Sequence, residues 1–345
     1  MGLIRRRLAV AAVVLAAATP VLTIAAALLG EGSLLGSVVM LMSARLWLLL
    51  AGLGGLLVIA TFRGRGRVLG LLPPVVTAVA VTLAPPPTPR LAPSVGENAP
   101  KPLRVAALNL AKGGVASDEV LGRSLAALEA DVVCISEAGD YDWRPEFDVR
   151  GMAARHGFTV VGDDETRALV RAPLRASRVV PLPPGPARRP LVIVDVSLDG
   201  DADGAVIRVA CVHLIPPLLW QKDSVDLGTA SGGGPGAVVA ARAAQGHQLA
   251  AVLDDNAVDV VAGDFNVVSW GRVLRDLGDH GYSDALADQG FLSATFTPIT
   301  WILGRRLDHV LVRSTLHRVA SSIVDDVGSD HAAVVVDLGV AVKHL

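Results

Sequence analysis

The chain has two cysteines in 345 residues, Cys134 and Cys211, each inside an apolar run. No set of thiolates at metal-ligand spacing exists, which excludes a zinc ribbon or finger, and no His-Glu-x-x-His segment offers a zinc hydrolase site instead. Both cysteines read as small core residues; a disulfide is permitted in an oxidising compartment, but two cysteines alone do not establish one. A phosphate-cradling P-loop is missing as well. The glycine-rich stretch 228–237, GTASGGGPGA, has no strand before it and no Lys-Ser/Thr after it, so it reads as a loop. An excess of basic charge is also absent. Eight of the 31 Lys and Arg precede residue 101, against only Glu31 and Glu97 among the 33 acidic residues; the remainder therefore carries 23 basic and 31 acidic residues, a net charge of −8. A broad nucleic-acid surface needs a basic stripe to release counterions, and none is evident; the acidic balance suits a carboxylate-rich metal site.

Apolar residues are abundant, at 52% of the chain with a mean hydropathy of +0.50, and the excess is concentrated in the first 84 residues. Leu8 to Leu29 is a 22-residue run without a charged residue, long enough to cross a bilayer as a helix. Leu46–Phe62 and Val68–Ala84 are 17 residues each, at the short end; Ser37–Ala44 extends the former if Arg45 snorkels, and Pro73 and Pro74 kink the latter. A cleaved signal peptide is the competing reading of the first run, but it leaves the other two unexplained. The expectation is a membrane anchor of three transmembrane helices over residues 1–84. Arg5 to Arg7, and Arg63, Arg65 and Arg67, are expected on the cytoplasmic side, which puts everything after Ala84 outside the cell membrane. Residues 85–102, with seven prolines, read as an extended linker.

Residues 103–345 read as one domain. Leu103–Leu108, Asp131–Ser136, Val206–Val212, Val258–Ala262, Leu307–Val312 and Ala332–Leu338 are expected strands, and Ser117–Ala130 (capped by Ser117) and Val238–Leu253 are expected helices. Strands mixed with helices indicate an α/β or α+β layered sandwich.

Polar residues gather where these strands end: Asn109, Glu137, His213, Asp264 with Asn266, Asp308, and Asp330 with His331. Singly, each has a bland reading, since Asp and Asn are ordinary turn formers and a histidine beside a strand is usually structural. Together they supply what metal-assisted phosphoryl hydrolysis requires. His309, one residue after Asp308, points to the opposite face and reads as structural. His247, His280, His317 and His344 lie outside any motif.

Gly263-Asp264-Phe265-Asn266 and Ser329-Asp330-His331 resemble signature segments of the endonuclease/exonuclease/phosphatase superfamily, the DNase I-like fold. The order also matches: Asn109, Ser136-Glu137-Ala138, His213-Leu214, the Gly-Asp-Phe-Asn segment, Leu307-Asp308-His309-Val310, then Ser-Asp-His. Arg242 with Gln245, Trp270, and Thr297 four residues before Trp301 are similar to bacterial membrane-anchored members. The first motif lacks a second polar residue at Ala111, and Ser136 stands where Gln is common.

The resemblance implies two packed β-sheets flanked by helices and Mg²⁺ or Mn²⁺ dependence. It makes Glu137 the principal metal ligand, with Asn109 and Asp330 as further ligands and Asp308 as another candidate. Asp264 orients or deprotonates the attacking water and Asn266 holds the phosphate or that water. His331 donates to the phosphoryl oxygen, fixed by Asp308, and His213 is a second donor near the leaving group. The implied substrate is a phosphate ester, a nucleic acid or a small or lipid phosphodiester, and no obligate protein partner is inferred. A catalytically silent module that binds a phosphorylated ligand on the same fold is the alternative.

Overall fold

The computed structural model describes residues 44–61 and 102–340, apart from 112–115, 140–146, 184–188, 198–204, 217–234, 270, 290–292 and 298–303, and nine isolated positions before residue 77. The runs Leu8–Leu29 and Val68–Ala84 therefore fall almost wholly outside the described residues, as does most of the linker. The remaining apolar run forms helix α1, Ala44–Thr61. Among the described residues no helix is long and apolar enough to cross a membrane, so the expectation of a spanning helix is not met there.

Twelve strands form two six-stranded sheets. One sheet has the order β11-β12-β1-β2-β4-β3, built from β1 (Leu103–Asn109), β2 (Val132–Ser136), β3 (Thr159–Val161), β4 (Arg167–Val170), β11 (Leu316–Val324) and β12 (Ala333–Val340). The other has the order β5-β6-β7-β8-β10-β9, from β5 (Leu174–Val180), β6 (Leu191–Ser197), β7 (Val206–His213), β8 (Val260–Asp264), β9 (Tyr282–Asp284) and β10 (Asp308–Arg313). Each sheet has one parallel pair, β1–β2 and β7–β8, and is otherwise antiparallel.

Side chains alternate between the two faces of a strand, so each central strand feeds two cores. Val105, Ala107, Val132 and Cys134 meet Val209, Cys211, Val260, Ala262 and Val310 between the sheets. The outer face of the first sheet packs on α2 (Asp118–Ala127) and α3 (Val149–Arg155). The outer face of the second packs on α4 (Pro235–Asp255) and α5 (Arg272–Asp279). Ser117 caps α2 as expected, its hydroxyl accepting from Val120 N. Helix α4 starts at Pro235, inside the stretch read as loop, because proline is well suited to the first turn of a helix, where its missing N–H leaves no bond unmade. Cys134 and Cys211 are bonded to each other, whereas the sequence favoured two separate core residues. The spacing of two strands in sequence says nothing of their meeting face to face across a sandwich.

Candidate active site

The alternation that builds the inter-sheet core also builds the site. Continued one step past the core, it places Asn109 and Ser136 on the inner face of the first sheet, and His213, Asp264 and Asp308 on the inner face of the second. The registers bring them level: Asn109 pairs with Ser136, His213 with Asp264, and Asp264 with Asp308. Asn109, His213, Asp264 and Asp308 are all buried. The sheets touch here, for Asn109 Nδ2 donates to Asp264 Oδ2 at 2.9 Å.

Asp264 is held from several sides. Asn266 N donates to its Oδ1 at 2.7 Å, and Asn266 Nδ2 lies 3.3 Å from its Oδ2 while donating to Leu214 O at 3.0 Å. Asn266 adopts φ of 51°, which an asparagine tolerates better than most residues. Gly263 is obligatory, since at φ of +141° an added Cβ would sit 2.0 Å from Val212 O. Arg242 and Gln245, three residues apart on α4, brace the loops that follow β7 and β8. Arg242 donates to Asn266 O at 3.0 Å and also to Ile215 O, and Gln245 Oε1 accepts from Ile215 N at 2.9 Å.

Asp308 Oδ2 accepts from His331 Nδ1 at 2.7 Å. The turn is tied down by Thr295, whose Oγ1 accepts from Leu307 N and Asp308 N at 3.0 and 3.1 Å. Phe296 packs on the His331 ring at 4.7 Å between centroids. Ser329 Oγ donates to Asn109 O at 2.6 Å, joining the Ser-Asp-His turn to β1.

Burial and charge set the protonation states. Burial first, then the Asp308 carboxylate, push Asp264 up to about 7, against the pull of His331, Asn109 and Asn266. Burial opposes protonation of His331, but Asp308, by charge and hydrogen bond, with Asp264 and Asp330 behind it, raises the ring to about 9. The site thus holds an imidazolium between carboxylates and a carboxyl group that titrates near neutrality.

Asp264, Asp308 and His331 each offer a ligand atom within 4.8 Å of the others. The expected metal residues are not members of this group. Glu137 is half-buried where β2 leaves the sheet, with φ of 55°. Asp330 is exposed, and Asn109 Oδ1 accepts from Ala111 N at 2.8 Å.

His309 lies on the opposite face as expected, its Nε2 donating to Val267 O at 2.8 Å, beside the buried Asp284–Arg306 pair. Trp270 and Trp301 lie outside the described residues. Glu165 and Arg189 are an addition that the sequence reading passed over. Arg189 Nε donates to Glu165 Oε2 at 2.8 Å in a fully buried pair, and that oxygen lies 3.9 Å from His213 Nδ1. The signal for Glu165 was present, because it stands just ahead of the apolar β4; Arg189, in a proline-rich turn, carried none.

The family model described as Endonuclease/Exonuclease/phosphatase family matches residues 106–331, well over half of the chain and every residue of the site. The chain belongs to the endonuclease/exonuclease/phosphatase family. Its two packed mixed sheets with flanking helices are the DNase I-like fold.

Among solved structures, an endonuclease/exonuclease/phosphatase from Bacteroides vulgatus superposes with a TM-score of 0.52 at 14% identity, covering 69% of this chain and 99% of that one. One from Beutenbergia cavernae gives 0.47 at 19% identity, over 70% of this chain and 72% of that one. TDP2 from D. rerio, complexed with a single-strand DNA product, gives 0.49 at 17% identity, over 69% and 98%. No curated protein matches the chain.

Proposed function

We propose that this member of the endonuclease/exonuclease/phosphatase family hydrolyses a phosphate ester, with a phosphodiester as the favoured substrate, using a bound Mg²⁺ or Mn²⁺. The observation that carries the reading is the buried convergence of Asp264, held by Asn109, with the Asp308–His331 pair. Asp264, at about 7, is poised to orient an attacking water and take its proton. His331, fixed through Nδ1 and kept cationic by Asp308, turns Nε2 toward a phosphoryl oxygen whose charge grows in the transition state. Asn266 positions Asp264, and a phosphate contact from its Nδ2 would replace one of its present bonds. His213, with Nε2 at 3.8 Å from Asp264 Oδ2, is assigned to the leaving-group side.

The donor set fits a hard divalent cation, since Glu137, Asn109 Oδ1 and Asp330 offer oxygen only, and Asp308 Oδ1 is buried with no hydrogen-bond partner. We assign the cation to Glu137, with Asn109 and Asp330 as further ligands. In the Asp264–Asp308–His331 group, Asp308 Oδ2 already bonds a cationic imidazole, whose charge repels a metal there. A bound cation supplies neutralisation of the phosphoryl charge.

The test is hydrolysis of phosphodiester and phosphomonoester substrates by the full chain with Mg²⁺, Mn²⁺ or EDTA, beside Asp264→Ala and His331→Ala. Each variant is expected to lose about 10²-fold or more in kcat. A loss under tenfold in either removes the role given to it. A panel of linear DNA, RNA, sphingomyelin-type lipid and inositol phosphates identifies the substrate class.

The apolar first 84 residues support a membrane location with the domain outside the cytoplasm. The Cys134–Cys211 bond supports the same placement independently, because disulfides persist in oxidising compartments. Protease access to the domain in intact cells tests it.

A further inference from the structure

Packed sheets usually lie about 10 Å apart, yet Cys134 of β2 and Cys211 of β7, in different sheets, have Cα atoms only 4.9 Å apart. The residues level with them explain how. Cys134 pairs with Ala107 on one side and Ala168 on the other, and Cys211 pairs with Ala262. One step further out the same layer carries Val334, Val192 and Val310. One pleat deeper the inner faces return to valine, with Val105, Val132 and Val170 in one sheet and Val209 and Val260 in the other. The layer is therefore small at its centre and bulky at its flanks, all of it buried, and the disulfide crosses between the sheets at its centre.

This layer lies one pleat below the site. Cys134 is two residues before Ser136 and three before Glu137, Cys211 is two before His213, Ala107 is two before Asn109, and Ala262 is two before Asp264. A period of two residues puts each pair that is two apart on the same face, separated by about 7 Å along the strand. The short side chains of Asn109 and Asp264 meet at 2.9 Å one pleat above this layer.

We infer that the Cys134–Cys211 disulfide, with its layer of alanines, is a positioning device for the site: it sets the gap across which Asn109 of one sheet faces Asp264 and His213 of the other. The inference rests on the catalytic reading for its effect on rate, and on the geometry alone for its effect on the gap. Reduction by a dithiol delivers two electrons and two protons, leaves two thiols and closes the dithiol into its own disulfide. The two sulfurs, no longer bonded, then move to van der Waals separation and widen the gap at the level below the site.

The test compares the full chain with C134A/C211A. The first readout is hydrogen exchange of two amides bonded to the side chains that meet across the gap, Ala111 N, bonded to Asn109 Oδ1, and Asn266 N, bonded to Asp264 Oδ1. The second is kcat against KM on the best phosphodiester. In a folded variant both amides are expected to exchange at least about tenfold faster while amides at the level of Val105 and Val209 keep their rates. The kcat is expected to fall about tenfold or more with KM within about threefold, as for a misplaced catalytic constellation. Unchanged exchange at Ala111 and Asn266 overturns the inference whatever the rates do. If the double variant does not fold, Ala262→Val decides: it keeps the disulfide and wedges the same layer, and must speed the same two amides. If the unaltered chain hydrolyses nothing, the catalytic reading fails and the exchange data still decide this one.

Discussion

Asp308→Asn isolates the charge that the site places beside His331. The amide keeps the size of the carboxylate and its Oδ1 can still accept from His331 Nδ1, so the 2.7 Å bond survives while the negative charge goes. In the native protein His331 is raised from 6.5 to about 9; a shift of that size corresponds to about 3 kcal/mol favouring the cation. Burial works in the other direction, and without Asp308 it brings the ring to its ordinary range or below. The wild-type rate should then be bell-shaped, rising as Asp264 loses its proton near 7 and falling as His331 loses its own near 9. In Asp308→Asn the falling limb moves to lower pH, the rising limb moves down with it because the Asp308 carboxylate also raises Asp264, and the maximal rate drops about 10²-fold. Stability gives the same sign. A histidine raised above its unfolded value stabilises fully below pH 6.5, and that contribution disappears as pH climbs through about 9. Urea transitions in EDTA should show this alkaline decline in the wild type and not in the variant. The assay is the pH–rate profile beside an NMR titration of ¹³C-labelled histidine, with His331→Gln to assign the signal. A ring that titrates unchanged in Asp308→Asn refutes the reasoning.

Three further outcomes follow from other parts of the structure. Burial disfavours the Asp284 carboxylate, but Arg306 at 2.7 Å and His309 outweigh it and hold the group at about 2; its stabilisation is present above pH 3.8 and lost as pH falls toward 2, and Asp284→Asn, which strands a buried guanidinium, should lower stability by about 3 kcal/mol in urea melts at pH 7. Glu137→Gln should weaken Mn²⁺ binding, read by calorimetry, at least about tenfold, and Asp308→Asn should leave it within about threefold; the reverse order moves the cation to the Asp264–Asp308–His331 group. Reduction of Cys134–Cys211, which are separated by 77 residues, should lower the unfolding free energy by up to about 4.5 kcal/mol through chain entropy, so an unmoved urea midpoint in protein shown to hold two free thiols would contradict it.

The central strands were legible because they are apolar on both faces. Leu103–Leu108, Asp131–Ser136, Val206–Val212 and Val258–Ala262 each appear within a residue or two of the expected place. The edges were not. Strand β5, LRASRVV, is largely exposed, and its Arg175 and Arg178 break any alternation, so only its ladder with β6 makes it a strand. Strand β6 itself carries Asp195 in an apolar run, and the charge is accommodated by Arg208 directly across the ladder at 2.7 Å. A local pattern cannot contain a partner from another strand.

The site was more legible than the fold around it, and strand parity explains the difference. A residue that ends an inward-facing column of Leu, Val and Ala must point into the same interlayer as that column, so Asn109, His213, Asp264 and Asp308 were bound to converge once their strands lay side by side. Parity reads a residue's face without knowing its neighbours. It cannot read distance across the sandwich, which is why the sequence left the pairing of the two core cysteines open and why the Glu165–Arg189 pair escaped notice. The same limit applies to Glu137. It stands one step beyond the last paired residue of β2, at φ of 55°, where alternation has ended and the backbone has turned. Its direction is set by the turn and not by the strand, so its part in holding a cation is a matter for the Mn²⁺ measurement, whereas the meeting of Asp264 with Asn109 follows from the fold.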